Sequence, residues 1–265
     1  MIVFVSCCVD QEKKVPGDNV SSFTLEEVTK TTLASQEAKD NSGGVDEISR
    51  MAESGRLDEA LAQAGKNPSP RVLTYLNNAG VNYTRENRYE EADKIFAGIL
   101  KIDSKQPDIW YNKGIVSAKL GRYEDAFLEY GKATDLKPDD SEAWYQKASM
   151  LYYLKRYDEA VDACNRSLVL EPHNPYAWYN LGIALTELKR YNESISAYDK
   201  ALSVKPDYSE AENNKGNLLS DLGMYDEAIA AYDRALAIRY DEQTKKNRDI
   251  AETKANGTET PVSET

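Results

Sequence analysis

The chain has 265 residues, with 45 acidic side chains against 33 basic ones and a formal net charge of −12. That balance excludes a sequence-independent nucleic-acid binder, which needs a basic footprint, and favours basic partners. All Tyr and Trp residues fall between Tyr75 and Tyr240, so the aromatic material for a core is confined to the middle of the chain.

The first eight residues, Met1 to Cys8, are apolar and too short to span a bilayer. They lack the basic start of a signal peptide, yet a small residue before Cys7 after an apolar stretch resembles a lipoprotein cleavage site. Two readings stay open: a surface-anchored lipoprotein, or a cytoplasmic protein with a frayed apolar start. Residues 9–44 are polar and end in Asn41-Ser42-Gly43-Gly44, which reads as a disordered linker. Thr24 and Glu27 have capping-box spacing for a short helix over Thr24–Lys30.

From there the chain reads in units. Residues 45–72 form a degenerate one, cut short at Asn67-Pro68, and full units follow at 73–106, 107–140, 141–174, 175–208 and 209–242. Trp110, Trp144 and Trp178 are 34 residues apart, and Pro138, Pro172 and Pro206 keep the same interval. In the unit Pro107–Asp140, apolar or small residues recur three and four apart in both halves, the mark of two amphipathic helices. Gly121-Arg122 makes the turn between them, and Pro138 stops the second helix. Asp139, Asp140 and Ser141 offer N-cap chemistry to the helix that follows. The turn recurs as Asn87-Arg88-Tyr89, Lys155-Arg156-Tyr157, Lys189-Arg190-Tyr191 and Gly223-Met224-Tyr225. Residues 243–265 form a polar, largely disordered tail, although the last helix could extend over Asp241–Ala255 with Ile250 as its large apolar anchor.

A column of small residues stands beside a column of large ones, with Cys164 the one small exception in the second. Gly80, Gly114, Ala148, Gly182 and Gly216 share one position, and Phe96, Tyr130, Cys164, Tyr198 and Tyr232 share another. A period in this range, with fixed residue types, marks a solenoid of stacked supersecondary units. On these columns the chain resembles the tetratricopeptide repeat family over roughly residues 45–242. The resemblance implies an all-α fold, a right-handed superhelical solenoid of helix-turn-helix tetratricopeptide repeats. The pattern weakens at the ends, where Leu76 and Glu212 replace Trp, and Ser104 and Tyr240 replace Pro.

In that family the first helix of each repeat lines a concave groove that holds peptides. Carried over by column, the groove candidates are Asn78, Asn112, Gln146, Asn180 and Asn214, a ladder of amides suited to a peptide backbone. The same amides could instead bond neighbouring helices. Beside them run Tyr111, Tyr145 and Tyr179, with Tyr152, Tyr153, Tyr176 and Tyr208 as further candidates for that side. Glu142 and Glu187, together with Asp140, Asp207, Glu210 and Asp221, make the middle and C-terminal part acidic, whereas Arg85, Lys105 and Lys119 lie towards the N-terminus. A basic or apolar protein or peptide partner follows. A clamp for acidic C-terminal tails does not, because Asn77, Val81, Tyr111 and Ile115 leave its cationic positions empty and Glu142 and Glu210 stand where Lys is needed.

No phosphate loop, metal-ligand spacing or nucleophile–base pair occurs, and the lone His173 has no partner for catalysis. Cys164 occupies a core column and reads as a buried thiol. The expected role is therefore a non-enzymatic scaffold with no cofactor and no metal, binding a protein or peptide in its groove. The alternative is a structural protein that self-associates, tethered to a membrane only if the N-terminus is an anchor.

Overall fold

The computed structural model describes residues 42–257, which contain thirteen helices and no strand. In chain order these are α1 (Ser42–Glu53), α2 (Leu57–Lys66), α3 (Pro70–Arg85), α4 (Tyr89–Ile102), α5 (Pro107–Lys119), α6 (Tyr123–Leu136) and α7 (Ser141–Tyr153). Then follow α8 (Tyr157–Leu170), α9 (Pro175–Glu187), α10 (Tyr191–Val204), α11 (Ser209–Asp221), α12 (Tyr225–Ile238) and α13 (Glu242–Ala255). The apolar residues 1–8, nearly all of the linker 9–44 and the helix expected at Thr24–Lys30 lie outside the described residues.

The chain divides into two compact units, and the division runs through α5. The first unit runs to Ser104 and includes Ile115–Arg122. Its opening hairpin, α1 with α2, covers the segment expected to form a degenerate repeat. The Tyr83 hydroxyl of α3 donates to the Ala52 carbonyl at the end of α1 (2.6 Å), and Leu61 of α2 crowds Gly98 of α4. Helix α3 starts at Pro70, ahead of the expected Leu73, because Ser69 caps it and proline suits the first helical position.

The second unit comprises Lys105–Gly114 and everything from Tyr123 onward. Three consecutive hairpins, α7/α8, α9/α10 and α11/α12, follow one plan. Asp140 caps α7 and Asn174 caps α9 through their side-chain oxygens. The indole N–H of Trp144 donates to the Pro138 carbonyl (3.0 Å) and that of Trp178 to the Pro172 carbonyl (2.8 Å), so each Trp pins the loop that precedes its own helix. The turn inside each hairpin passes through one left-handed residue: Lys155, Lys189 or Gly223. The arginine that follows, Arg156 or Arg190, then binds a glutamate three residues on through two N–H groups.

In α9/α10 and α11/α12 the core is a ring set on a glycine, whereas α7/α8 carries Ala148 and Cys164 at those two positions. A methyl group on Gly182 would come within 2.7 Å of the Tyr198 ring, and Gly216 faces Tyr232 in the same way. Such close contact lets an entire Tyr side chain be buried between two helices, worth about 1.5–3 kcal/mol each. In the last repeat Glu212 stands in the Trp column and is buried. Arg234 satisfies it with two hydrogen bonds of 2.6 and 3.0 Å.

At the C-terminal end the helix expected over Asp241–Ala255 forms as α13 and packs on α12, in place of the largely disordered tail that was the other reading of these residues. It starts afresh on the Asp241 cap instead of continuing α12. Thr244 donates to Asn213 (3.1 Å), Asn247 donates to Asn217 (3.0 Å), and Arg248 reaches Asp233 (3.0 Å). Ala251, not Ile250, enters the core, and Ile250 stays 43% exposed. A helix can be anchored by polar bonds and an alanine because backbone hydrogen bonds need no apolar side chain to form.

Candidate interaction face

The first helices of the second unit, α7, α9 and α11, are tied side to side by the amide column. Asn180 donates to Ser149 Oγ one repeat earlier (2.7 Å), and Asn214 donates to the Tyr179 hydroxyl (2.9 Å). These bonds hold neighbouring helices in register, the second of the two roles foreseen for the ladder. Both Asn side chains remain half-buried. Gln146 is only 2% exposed and donates to Glu142 one turn before it (2.8 Å), and Asn112 is buried on α5. In the first unit Asn78 is half-buried on α3.

The tyrosine column splits. Tyr145 and Tyr111 are half-buried, but Tyr179 is 4% exposed and belongs to the core. It was assigned to the open face by its column. Its ring instead lies 4.9 Å from Tyr208 and 6.1 Å from Tyr198, closed over by the loop that leads into α11. Burial therefore raises its hydroxyl well above the ordinary range. Tyr179, Gln146 and Asn112 are thus framework residues rather than open contacts.

What remains partly open is a band of rings around Tyr145, Tyr176 and Tyr152, whereas Tyr208, another candidate for that side, is 2% exposed and belongs to the core. Tyr145 lies 6.4 Å from Tyr176, and Tyr176 lies 5.6 Å from Tyr208. Lys205 sits 4.9 and 4.8 Å above the Tyr176 and Tyr208 rings and donates to the Tyr176 hydroxyl (3.1 Å). Further along, Tyr152 meets Tyr153 and Tyr157 at 6.1 and 5.6 Å. Glu142 is half-buried beside this band, and Glu187 is exposed at the last turn of α9. Lys205 was not foreseen. Its one sequence signal was its place just before Pro206, where the preceding repeats carry Lys137 and Glu171.

The band combines rigid rings with hydroxyls, amides and the Glu142 and Glu187 carboxylates. Cys164, by contrast, is fully buried in the α7–α10 core, and burial pushes its thiol up, so it is not poised as a nucleophile.

Comparison with solved structures places the architecture among known repeat proteins. MamA is 24% identical with a TM-score of 0.57, covering 63% of this chain and 96% of MamA. A MamA from Desulfovibrio magneticus RS-1 gives 22% identity and a TM-score of 0.57, over 67% of this chain and 97% of that one. YrrB, described as a TPR protein with an unusual peptide-binding site, gives 19% identity and a TM-score of 0.60, over 75% of this chain and 99% of YrrB. No curated protein matches the sequence. Tetratricopeptide repeat families match residues 77–140, 141–174 and 175–241, and with hairpins of that design throughout, the chain belongs to the tetratricopeptide repeat family.

Proposed function

We propose that this all-α solenoid holds a peptide segment of a partner protein along the first helices of its second unit, as a non-enzymatic scaffold. Membership of the repeat family supports a protein-interaction role in general. The observation that carries the finer reading is the half-buried tyrosine band of Tyr145, Tyr176 and Tyr152, edged by the Glu142 and Glu187 carboxylates. None of these rings is fully enclosed, so each keeps area for a partner. The description of YrrB as peptide-binding agrees with this reading. A basic or apolar segment fits the carboxylates, and an acidic tail does not.

The test uses Tyr145→Ala with Tyr176→Ala, and leaves Tyr179 intact because its loss would open the core. Proteins captured by the wild-type chain should fall at least tenfold on the double variant. If the variant keeps its helical signal and still retains every partner, the face is not the binding surface. A second reading, self-association, rests on a weakly capped last repeat, and the packing of α13 on α12 speaks against that ground.

A further inference from the structure

Position 152 is out of step with its column. The equivalent positions hold Thr84, Ala118, Thr186 and Ser220, so the hairpin closes without an aromatic residue there. Tyr152 nevertheless stands at the end of α7, half-buried, with its ring 5.6 Å from Tyr157 at the start of α8 and the two planes 52° apart. One side of the ring rests on the core around Tyr179, Ile183 and Tyr198. Glu187, the last residue of α9, is exposed and forms no ion pair among the described residues. Its charge reaches both rings. Burial first, and Glu187 second, raise the Tyr152 and Tyr157 hydroxyls above their ordinary value.

The same chain shows what completes such a set. The Arg88 guanidinium lies 4.2 Å from the centre of the Tyr83 ring and bonds Glu91. The Arg156 guanidinium lies 4.4 Å from the centre of the Phe127 ring and bonds Glu159 with two N–H groups. Each time an aromatic face, an arginine and a glutamate come together. At Tyr152, Tyr157 and Glu187 the rings and the carboxylate are present, and among the described residues no cation of the chain lies over either ring.

We propose that Tyr152, Tyr157 and Glu187 seat an arginine side chain of the segment bound along this face, an assignment that rests on the peptide-binding reading above. Arginine fits better than lysine, because a planar guanidinium can stack on a ring while presenting two parallel N–H groups to one carboxylate.

The experiment is a selection of random displayed peptides on the full chain, followed by affinity measurement of the selected sequences. Arginine should be enriched at one fixed position. Tyr152→Thr, which installs the residue the chain already uses at 84 and 186, should weaken a selected peptide about two- to thirtyfold. Glu187→Gln should act in the same direction, and so should lysine for arginine in the peptide. The exposed control Lys132→Ala should leave affinity unchanged. If peptides are selected without arginine, or bind Tyr152→Thr as tightly as the wild type, the arginine seat is overturned while the peptide-binding reading stands. If no peptide is selected at all, both fall.

Discussion

The repeats 141–174 and 175–208 lie side by side in one unit and share the Trp–Pro hydrogen bond, the left-handed lysine and the Arg–Glu turn. They differ where the two helices touch. The second repeat sets Tyr198 directly on Gly182, and the first has Ala148 and Cys164 in one core cluster. The difference teaches that the repeat conserves a sum of volumes across a contact, not a residue. A methyl appears on one helix only where the ring has gone from the other. Tyr152 is enlarged in the repeat whose core ring is reduced to Cys164, and it is also a ring left partly open.

The largest way to separate the two repeats is alkali. Burial pushes the Tyr198 hydroxyl up to about 12 from its ordinary 10.0, and burial also raises the Cys164 thiol from its ordinary 9.0. The unfolded chain loses each proton at the ordinary value, whereas the folded chain still holds it. Stability from these groups is therefore complete below the ordinary values and falls as pH rises, from 9.0 for Cys164 and across 10.0 to about 12 for Tyr198. Tyr198 alone accounts for about 3 kcal/mol, and the buried Tyr130 and Tyr179 add to it in the same direction. The last part of the tyrosinate absorbance rise, from the buried rings, should therefore coincide with loss of helical circular dichroism. Cys164→Ala should remove only the earliest part of the decline. A smooth tyrosinate titration in a chain that stays helical would show that these rings are not buried as described.

An intermediate effect comes from exchanging the two contacts. Gly182→Ala should cost about 1–3 kcal/mol through overpacking against Tyr198, even though alanine favours the helix. Adding Tyr198→Cys should recover part of that cost by recreating the pair found at Ala148 and Cys164. Urea unfolding of both single variants and the double variant gives the coupling, expected above about 1 kcal/mol because the residues touch. Additive costs would mean that the volumes are not exchanged across this contact.

The same comparison shows what was legible in the sequence. The Trp and Pro columns announced the hairpins because they serve contacts that are local in the chain: Trp144 donates to the carbonyl of Pro138, six residues away. Facing between repeats was less legible. Tyr145 and Tyr179 share a column, yet the loop residue Tyr208 closes over Tyr179, while the equivalent Asn174 turns its side chain to cap α9. A column cannot report a neighbour that changes from repeat to repeat. Helix α13 was legible as a helix over Asp241–Ala255, but its anchor was not, since its buried side chains are Thr244 and Ala251, too small and too polar to leave an apolar period.

The smallest effect lies in the turns, where the two compared repeats agree with each other and differ from the next. Lys155 and Lys189 take φ near 59° and 60°, and Gly223 holds the equivalent place at 77°. A side chain in that region meets its own backbone, at a cost of about 1 kcal/mol that glycine avoids. Lys155→Gly and Lys189→Gly should therefore each be neutral or stabilising by up to about 1 kcal/mol, whereas Gly223→Ala should destabilise by about as much. Thermal melts of the three variants measure the signs. Because none of these side chains reaches the tyrosine band through any described bond, peptide affinity should not change with them. A glycine at 155 that weakened binding would mean that the turn, and not only Tyr152 and Tyr157 on either side of it, shapes the face.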